Sequence, residues 1–204
     1  MEWNERIQNL WIDFLFWTRF YILSLMYPQR GGGYVASRLL RNAAEFADAF
    51  VPFYGEESAK RFEEILNQHI LLLSELAATI RSKEPVEGLR TVWYENANEL
   101  AQFLTSVNPH WGSATWMELL YRRYYLEEFL LMRLQNGDFF GAIEQFDNAN
   151  FNAQEIANYM IDGIVQQFGV TPDAEQAELV AAPEHAILQS SYETGAMLGG
   201  SMPG

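Results

Sequence analysis

The sequence predicts an all-α protein folded as an antiparallel bundle of long helices. Apolar residues recur at helical spacing through most of the chain. Proline and glycine interrupt that spacing at short connections, and no window has the alternating, β-branched pattern of a strand. Because short connections make consecutive long helices antiparallel neighbours, these observations favour a bundle.

Three helices are predicted in the first half of the chain, over residues 3–26, 34–50 and 56–82. The first carries apolar residues nearly all round, as a helix buried on most sides does. Pro28 and the glycine run that follows it separate the first helix from the second. Gly55 separates the second from the third, whose first turn holds acidic residues that the helix dipole stabilises.

Three more helices are predicted in the second half: one from the turn at Gly88 to about Ser106, one over 113–135 and one ending near Phe168. Thr115 and Glu118 have the spacing of a capping box at the start of the middle helix. Asp138 is a suitable cap for the last helix, because its carboxylate can accept from the first free backbone amides.

The predicted domains are a helical bundle over residues 1–168 and an acidic, glycine-rich, largely extended tail over residues 169–204. The net charge is −14, and residues 134–204 contain ten acidic and no basic residues. This excess disfavours nucleic acid as a partner, because its phosphates would be repelled. The acidic surface is either a solvated face or a docking surface for a basic partner.

Composition and motifs exclude several classes of site. The chain has no cysteine, which excludes disulfides, thiolate metal sites and cysteine nucleophiles. Its most apolar stretch is interrupted by Asp13 and Arg19, which disfavours a membrane span, and the N-terminus lacks the basic region of a secretory signal. We therefore predict a cytoplasmic protein. No nucleotide-binding or nucleophile-elbow motif is present, so no catalytic residue is predicted.

Two nine-residue windows, 96–104 and 152–160, resemble each other, with four identical positions and five like-for-like replacements. The simplest interpretation is a pair of related helical hairpins, about 62–104 and 118–160, packed about a pseudo-two-fold axis. Bundles that bind metals in their core often have this layout. Chance similarity between helices of like composition is the alternative.

Charged residues occur at positions that should be buried. A buried charge is unfavourable unless it is paired, and the arginine guanidinium pairs well with carboxylates. We therefore predict an internal arginine–carboxylate network, as opposed to side chains that simply point to solvent. Its members are Asp13, Arg19, Glu99, Arg123 and Glu155.

A metal site is the alternative use of the same acids. The chain has three histidines, and none follows a glutamate at the spacing of the di-iron bundles. One oxygen-rich site for iron or manganese remains conceivable in the sequence, although harder cations would suit it better. Its ligands would be Glu64, His69, Glu95, Glu99 and Glu155. Our favoured prediction is that no metal or other cofactor is bound.

Six stretches of the chain resemble a family of small bacterial helical-bundle proteins without an established activity. They are WTR at 17–19, RLLRN at 38–42, PFYG at 52–55, WYENA at 93–97, NPHW at 108–111 and GIVQQF at 163–168. Some members carry the label acetylglutamate kinase, which nothing in this sequence supports. The resemblance implies a ferritin-like layout, with four long helices plus short connecting helices.

The resemblance also implies a metal centre built on helical histidines, of which this chain keeps His69. It has Asp13-Phe14 and Arg122-Arg123 where the family has Glu-His pairs. We therefore expect the guanidinium of Arg123 to stand where a metal would, holding the same carboxylates together. Residues 194–204 weakly resemble the C-terminal loading peptides of encapsulin cargo, which predicts an encapsulin-type shell as a partner.

The function predicted from the sequence is a non-catalytic structural or interaction protein that self-associates into a homo-oligomer. Its many aromatic residues are expected in the core, and any exposed subset would mark a self-association surface. One alternative is a ferritin-like metal-binding protein or oxidoreductase with a degenerate metal site. A further alternative is a bundle that binds a small molecule in its core.

Overall fold

The computed structural model describes residues 2–28 and 30–170, and within them the chain is all-α, as predicted. No strand occurs in these ranges. The five helices are α1 (Trp3–Met26), α2 (Gly32–Ser82), α3 (Glu87–Val107), α4 (Ser113–Gln135) and α5 (Phe139–Phe168). None of the described helices is both long and apolar enough to cross a membrane. The antiparallel, ferritin-like arrangement stays a prediction.

The helix boundaries follow local sequence signals. Gly31 has a φ of 105° in front of α2, a conformation that suits glycine. At the start of α5, the Asp138 carboxylate accepts a hydrogen bond from the backbone N–H of Gly141 at 2.9 Å, as the capping prediction requires. Gly169 ends α5 with a φ of 64°. Beyond Val170, the predicted tail and its shell-targeting peptide lie outside the described residues.

The helix α2 is interrupted at Gly55, where the sequence predicts a break. Gly55 has φ 78° and ψ 169°, which are not helical angles. The rings of Phe46 and Phe62 lie only 5.6 Å apart, whereas 16 residues of straight helix would separate them by about 24 Å. The chain therefore folds back at Gly55, and the parts of α2 before and after it act as separate segments.

The helices pack in chain order, and the last returns to the first. Neighbours in sequence contact one another throughout, and α5 also packs against α1. Helix α4 contacts α1 and α2 as well as its neighbours α3 and α5, so it lies at the centre of the packing. Buried tryptophans fill the core, as expected; they are Trp11, Trp93, Trp111 and Trp116.

The predicted repeat occurs three times in the structure, not twice. Asn42, Asn96 and Asn152 are all buried, and each donates its side-chain amide to a backbone carbonyl of the preceding helical segment. The acceptors are Leu10, Ile65 and Leu119, at 3.5, 3.3 and 3.1 Å. A buried amide needs such a partner, so the shared bond gives the repeat a structural purpose.

The third copy, residues 42–50, is missed when only the two most similar windows are compared. Like the other two, it places alanine one residue after the asparagine and glutamate three residues after it. The three glutamates, Glu45, Glu99 and Glu155, each form an ion pair with an arginine. The predicted pseudo-two-fold pair of hairpins is therefore part of a set of three helix pairs.

Candidate functional site

Equivalent positions of the three repeats meet at the centre of the bundle. In each repeat, the residue four positions after the one whose carbonyl accepts the asparagine's hydrogen bond faces the centre. These residues are Phe14, His69 and Arg123. The rings of Phe14 and His69 are 5.7 Å apart, and the Arg123 guanidinium carbon lies 5.4 Å from the centre of the Phe14 ring. Three inner segments therefore bring three chemically different side chains to one place.

Arg123 and His69 share one carboxylate, that of Glu127. Arg123 Nε donates to Glu127 Oε1 at 2.5 Å, and His69 Nε2 lies 2.9 Å from Glu127 Oε2. The side chains are 2%, 3% and 5% exposed for Arg123, His69 and Glu127. This buried cluster, which we call the core triad, is the one place in the described bundle where a carboxylate, a guanidinium and an imidazole meet.

Sequence reasoning missed Glu127, although a signal for it exists. Glu127 is four residues after Arg123 on α4, and side chains at that spacing lie on the same face of a helix. Arg123 does pair with a carboxylate inside the bundle, as predicted, but that carboxylate belongs to its own helix. The partner is a near neighbour in sequence, whereas the predicted partners were the glutamates of the repeat, which are distant in sequence.

Glu127 remains ionised because of its two neighbours. Burial acts to raise the pKa of Glu127, but the charges of Arg123 and His69 outweigh it, so the pKa lies below its ordinary value. The carboxylate is therefore a counterion, and it is not poised as a general acid. This assigns the triad an electrostatic role within the bundle.

Aromatic rings enclose the histidine. Trp93 stacks on His69 at 4.7 Å between ring centres, and Tyr124 meets it edge-on at 4.6 Å. The Tyr124 hydroxyl donates to Asn96 Oδ1 at 2.6 Å, and burial raises the pKa of Tyr124 well above its ordinary value. Tyr124 is thus a neutral hydrogen-bond donor. With aromatic rings packed against it and the side chain buried, His69 offers no approach to a substrate.

The five residues of the predicted charge network are not brought together. Arg19 Nη1 donates to the backbone carbonyl of Ala142 at 3.2 Å, and Arg123 belongs to the core triad. The remaining three form separate ion pairs near the surface; they are Asp13 with Arg38, Glu99 with Arg61, and Glu155 with Arg122. These three acids are about a third to a half exposed, so a nearby arginine and water both reach them.

The predicted metal ligands do not converge either. Within residues 2–28 and 30–170, no three His, Cys, Asp or Glu side chains are placed to hold one ion. Glu64 pairs with Arg61 at the surface, and Glu95 is exposed. Glu99 and Glu155 have the arginine partners given above. Of the five predicted ligands, His69 alone is buried in the core. The four glutamate side chains lie on other faces of their helices, away from His69.

We expect acid to destabilise the protein partly through Glu127. Its pKa is lower in the folded than in the unfolded chain, so the unfolded state binds the proton first, and stability falls as pH drops below about 4.5 towards the folded pKa. The stability difference between wild type and Glu127→Gln should therefore shrink on acidification. Urea denaturation at a series of pH values measures it; a difference that is constant down to about pH 3 would contradict the assignment.

Comparison with known proteins leaves the site to be interpreted from its geometry. No family model matches the chain, no curated protein matches it, and no solved structure matches it. The resemblance to small bacterial helical-bundle proteins therefore stays a prediction.

Proposed function

We propose that this chain is a non-catalytic interaction protein that self-associates through an exposed apolar face formed by α1 and α5. The core triad supports the non-catalytic part, since its three side chains are buried and the Glu127 carboxylate lies between Arg123 and His69. One observation carries the proposal: large apolar side chains are exposed side by side on two helices that pack together. We call them the α1–α5 face; they are Phe16, Phe20, Tyr27, Phe139, Phe140 and Ile143.

Ring contacts join the two halves of the α1–α5 face into one surface. Phe16 contacts the half-buried Phe146 at 5.5 Å, and Tyr27 contacts Phe139 at 6.2 Å between ring centres. Phe140 is 74% exposed and Ile143 is 59% exposed. Scattered single apolar residues need no explanation, but a joined group on one surface indicates an interaction site.

The size of the α1–α5 face suits an association between proteins. An aromatic side chain presents about 150–250 Å², so six large side chains exposed by about a half offer several hundred Å². A standard interface takes roughly 800 Å² from each partner. The apolar face therefore supplies much of the central area that a stable contact needs, and its surrounding polar residues can supply the rim.

A second copy of this chain is the partner that the charges favour. Although the chain carries a net charge of −14, two arginines beside this face, Arg133 and Arg19, each have an acidic neighbour. Arg133 pairs with Asp138 near the start of α5. The pKa of Arg19 is lowered by burial, while the charge of nearby Asp147 acts to raise it. Two copies meeting through a two-fold axis present the same surface twice, and these two arginines reduce the repulsion between the acidic groups of the two copies.

The test is the mass of the protein in solution. We expect wild type to be a dimer or larger at micromolar concentration, and Phe140→Ser with Ile143→Ser to shift the population towards monomer at least tenfold. Leu71→Ser is the matched control, because Leu71 is 63% exposed on α2, away from the α1–α5 face. Analytical ultracentrifugation measures all three. A monomeric wild type, or equal effects of the two sets of substitutions, would contradict the proposal.

Elemental analysis distinguishes the proposed interaction protein from the metal-dependent alternative. With Arg123 occupying the centre of the bundle, we expect no stoichiometric iron, manganese or zinc after dialysis; bound metal would instead favour a ferritin-like oxidoreductase.

The small-molecule alternative has its best support outside the core, in an open groove of about 440 Å³ lined by residues such as Phe20, Tyr27 and Val35. This groove borders the α1–α5 face, so it also suits side chains of a partner.

A further inference from the structure

The open groove beside the α1–α5 face lies between the end of α1 and the start of α2, and we call it the α1–α2 groove. Phe20, Leu23, Tyr27 and Val35 give it an apolar lining, to which Arg30 adds a cation. Its volume is about 440 Å³, and pockets of roughly 300–1,000 Å³ hold whole small ligands. The groove therefore has room for large side chains of another molecule.

The positive charge of the α1–α2 groove has no counterion in the described part of the chain. Arg30 is exposed and forms no ion pair there, whereas Arg133, at the same end of the bundle, pairs with Asp138. Gly31 and Gly32 of the lining lie at the start of α2, whose first turn has neither an acidic residue nor a side-chain cap. The start of a helix favours negative charge. The groove therefore suits an occupant that is mostly apolar and carries an acidic group.

Side chains with these properties are present on the chain itself, near the start of α5. Phe140 and Ile143 are 74% and 59% exposed. Glu144 is also exposed and has no ion pair among the described residues. Because residues three and four positions apart share one face of a helix, these three side chains form a single ridge, which we call the α5 ridge. Its two apolar groups and one carboxylate complement the apolar lining and the cation of the groove.

The α5 ridge and the α1–α2 groove lie beside each other on one surface. Tyr27 lines the groove, and its ring lies 6.2 Å from the ring of Phe139, the residue before the ridge. Phe140 is largely exposed, so the ridge does not fill the groove of its own chain. A surface that carries both a ridge and a matching groove is complementary to itself about a two-fold axis. A second copy can therefore fill one groove while its own groove is filled in return.

We propose that two copies of the chain associate reciprocally, with the α5 ridge of each seated in the α1–α2 groove of the other. Phe140 and Ile143 contact the apolar lining, and the Glu144 carboxylate pairs with the Arg30 guanidinium of the other copy. Each dimer then contains two such ion pairs, which fix how the two copies are oriented. The inference rests on the proposed self-association and specifies its contact.

Charge reversal tests the pairing, with the dissociation constant of the dimer measured by analytical ultracentrifugation. Arg30→Glu and Glu144→Arg each bring like charges together at two points of the dimer, so each should weaken self-association at least about tenfold. An equimolar mixture of the two variants should recover the affinity of wild type to within about threefold, because both contacts of the mixed dimer again join opposite charges. The double variant should self-associate but should not associate with wild type, for the same reason.

Lys60→Glu and Glu75→Arg are the matched controls. They make the same changes of charge at exposed positions of α2 that belong to neither the groove nor the ridge. Isolated surface charges contribute little, so each control should change the dissociation constant by less than about threefold.

Two results would overturn the proposal while leaving self-association in place. One is a dimeric wild type that the two charge reversals weaken no more than the controls do. The other is a mixture of the two variants that stays monomeric although wild type is dimeric. Either result would mean that the groove has another occupant. A monomeric wild type would instead contradict the proposed function, and this contact with it.

Discussion

Replacing Glu127 by glutamine is expected to lower the free energy of unfolding by about 3–5 kcal/mol. The substitution keeps the size of the side chain but removes the carboxylate that binds Arg123 at 2.5 Å and lies 2.9 Å from His69. Arg123 would then be a buried charge without a counterion. Urea denaturation followed by circular dichroism at neutral pH measures the loss.

Glu155→Gln is the matched control for that prediction. Glu155 also binds an arginine of α4, Arg122, but both side chains are about a third exposed, so its loss should lower stability by less than about 1 kcal/mol. A double replacement, Arg123→Met with Glu127→Leu, should recover much of the loss, because apolar side chains of similar volume often replace buried ion pairs without harm. Equal, small effects of the two single variants would show that the core triad contributes little.

Replacing Gly163 by alanine is expected to destabilise the protein by about 1–3 kcal/mol, although alanine normally favours a helix. Gly163 lies inside α5 against the buried Trp111, and a methyl group there would overlap Nε1 and Cδ1 of that indole. Trp111 cannot move freely, because its Nε1 donates to the carbonyl of Tyr159 at 3.2 Å. The expected fall in Tm is about 2–4 °C for each kcal/mol lost.

Gly88→Ala provides a control of opposite sign. Gly88 also lies in a helix, α3, but a methyl group there would meet nothing within 4 Å. Stability should stay the same or rise by up to about 1 kcal/mol, because alanine restricts the unfolded chain and favours the helix. A loss at both positions, or at neither, would contradict the close approach of Trp111 to α5.

Local sequence signals were sufficient for most of the helix ends. The capping box predicted at Thr115 and Glu118 was wrong, because α4 begins after Gly112 and no side chain caps it. The glycine run before α2, the break at Gly55 and the cap at Asp138 act within a few residues, so they can be recognised without knowing the fold. The repeat was harder to recognise. Its third copy, around Asn42, differs at several apolar positions, and its membership becomes clear from the hydrogen bond to Leu10.

The charged residues were predicted less well, because pairing depends on distances that sequence does not contain. Glu99 and Arg123 look alike as charges within helices, yet Glu99 reaches Arg61 at the surface, whereas Arg123 lies in the core with Glu127. Helical periodicity states which residues share a face. It does not state which of two partly apolar faces becomes the centre of the bundle.

Sequence alone was enough to establish that the described part of the chain is all-α, with breaks at particular glycines and prolines, because helix formation and termination depend on neighbouring residues. Tertiary packing alone decided that Phe14, His69 and Arg123 meet, that the Glu127 carboxylate lies against both His69 and Arg123, and that large apolar side chains stay exposed on α1 and α5. These outcomes depend on which helices become neighbours. That choice is made by the burial of whole faces at once, summed over residues far apart in the chain.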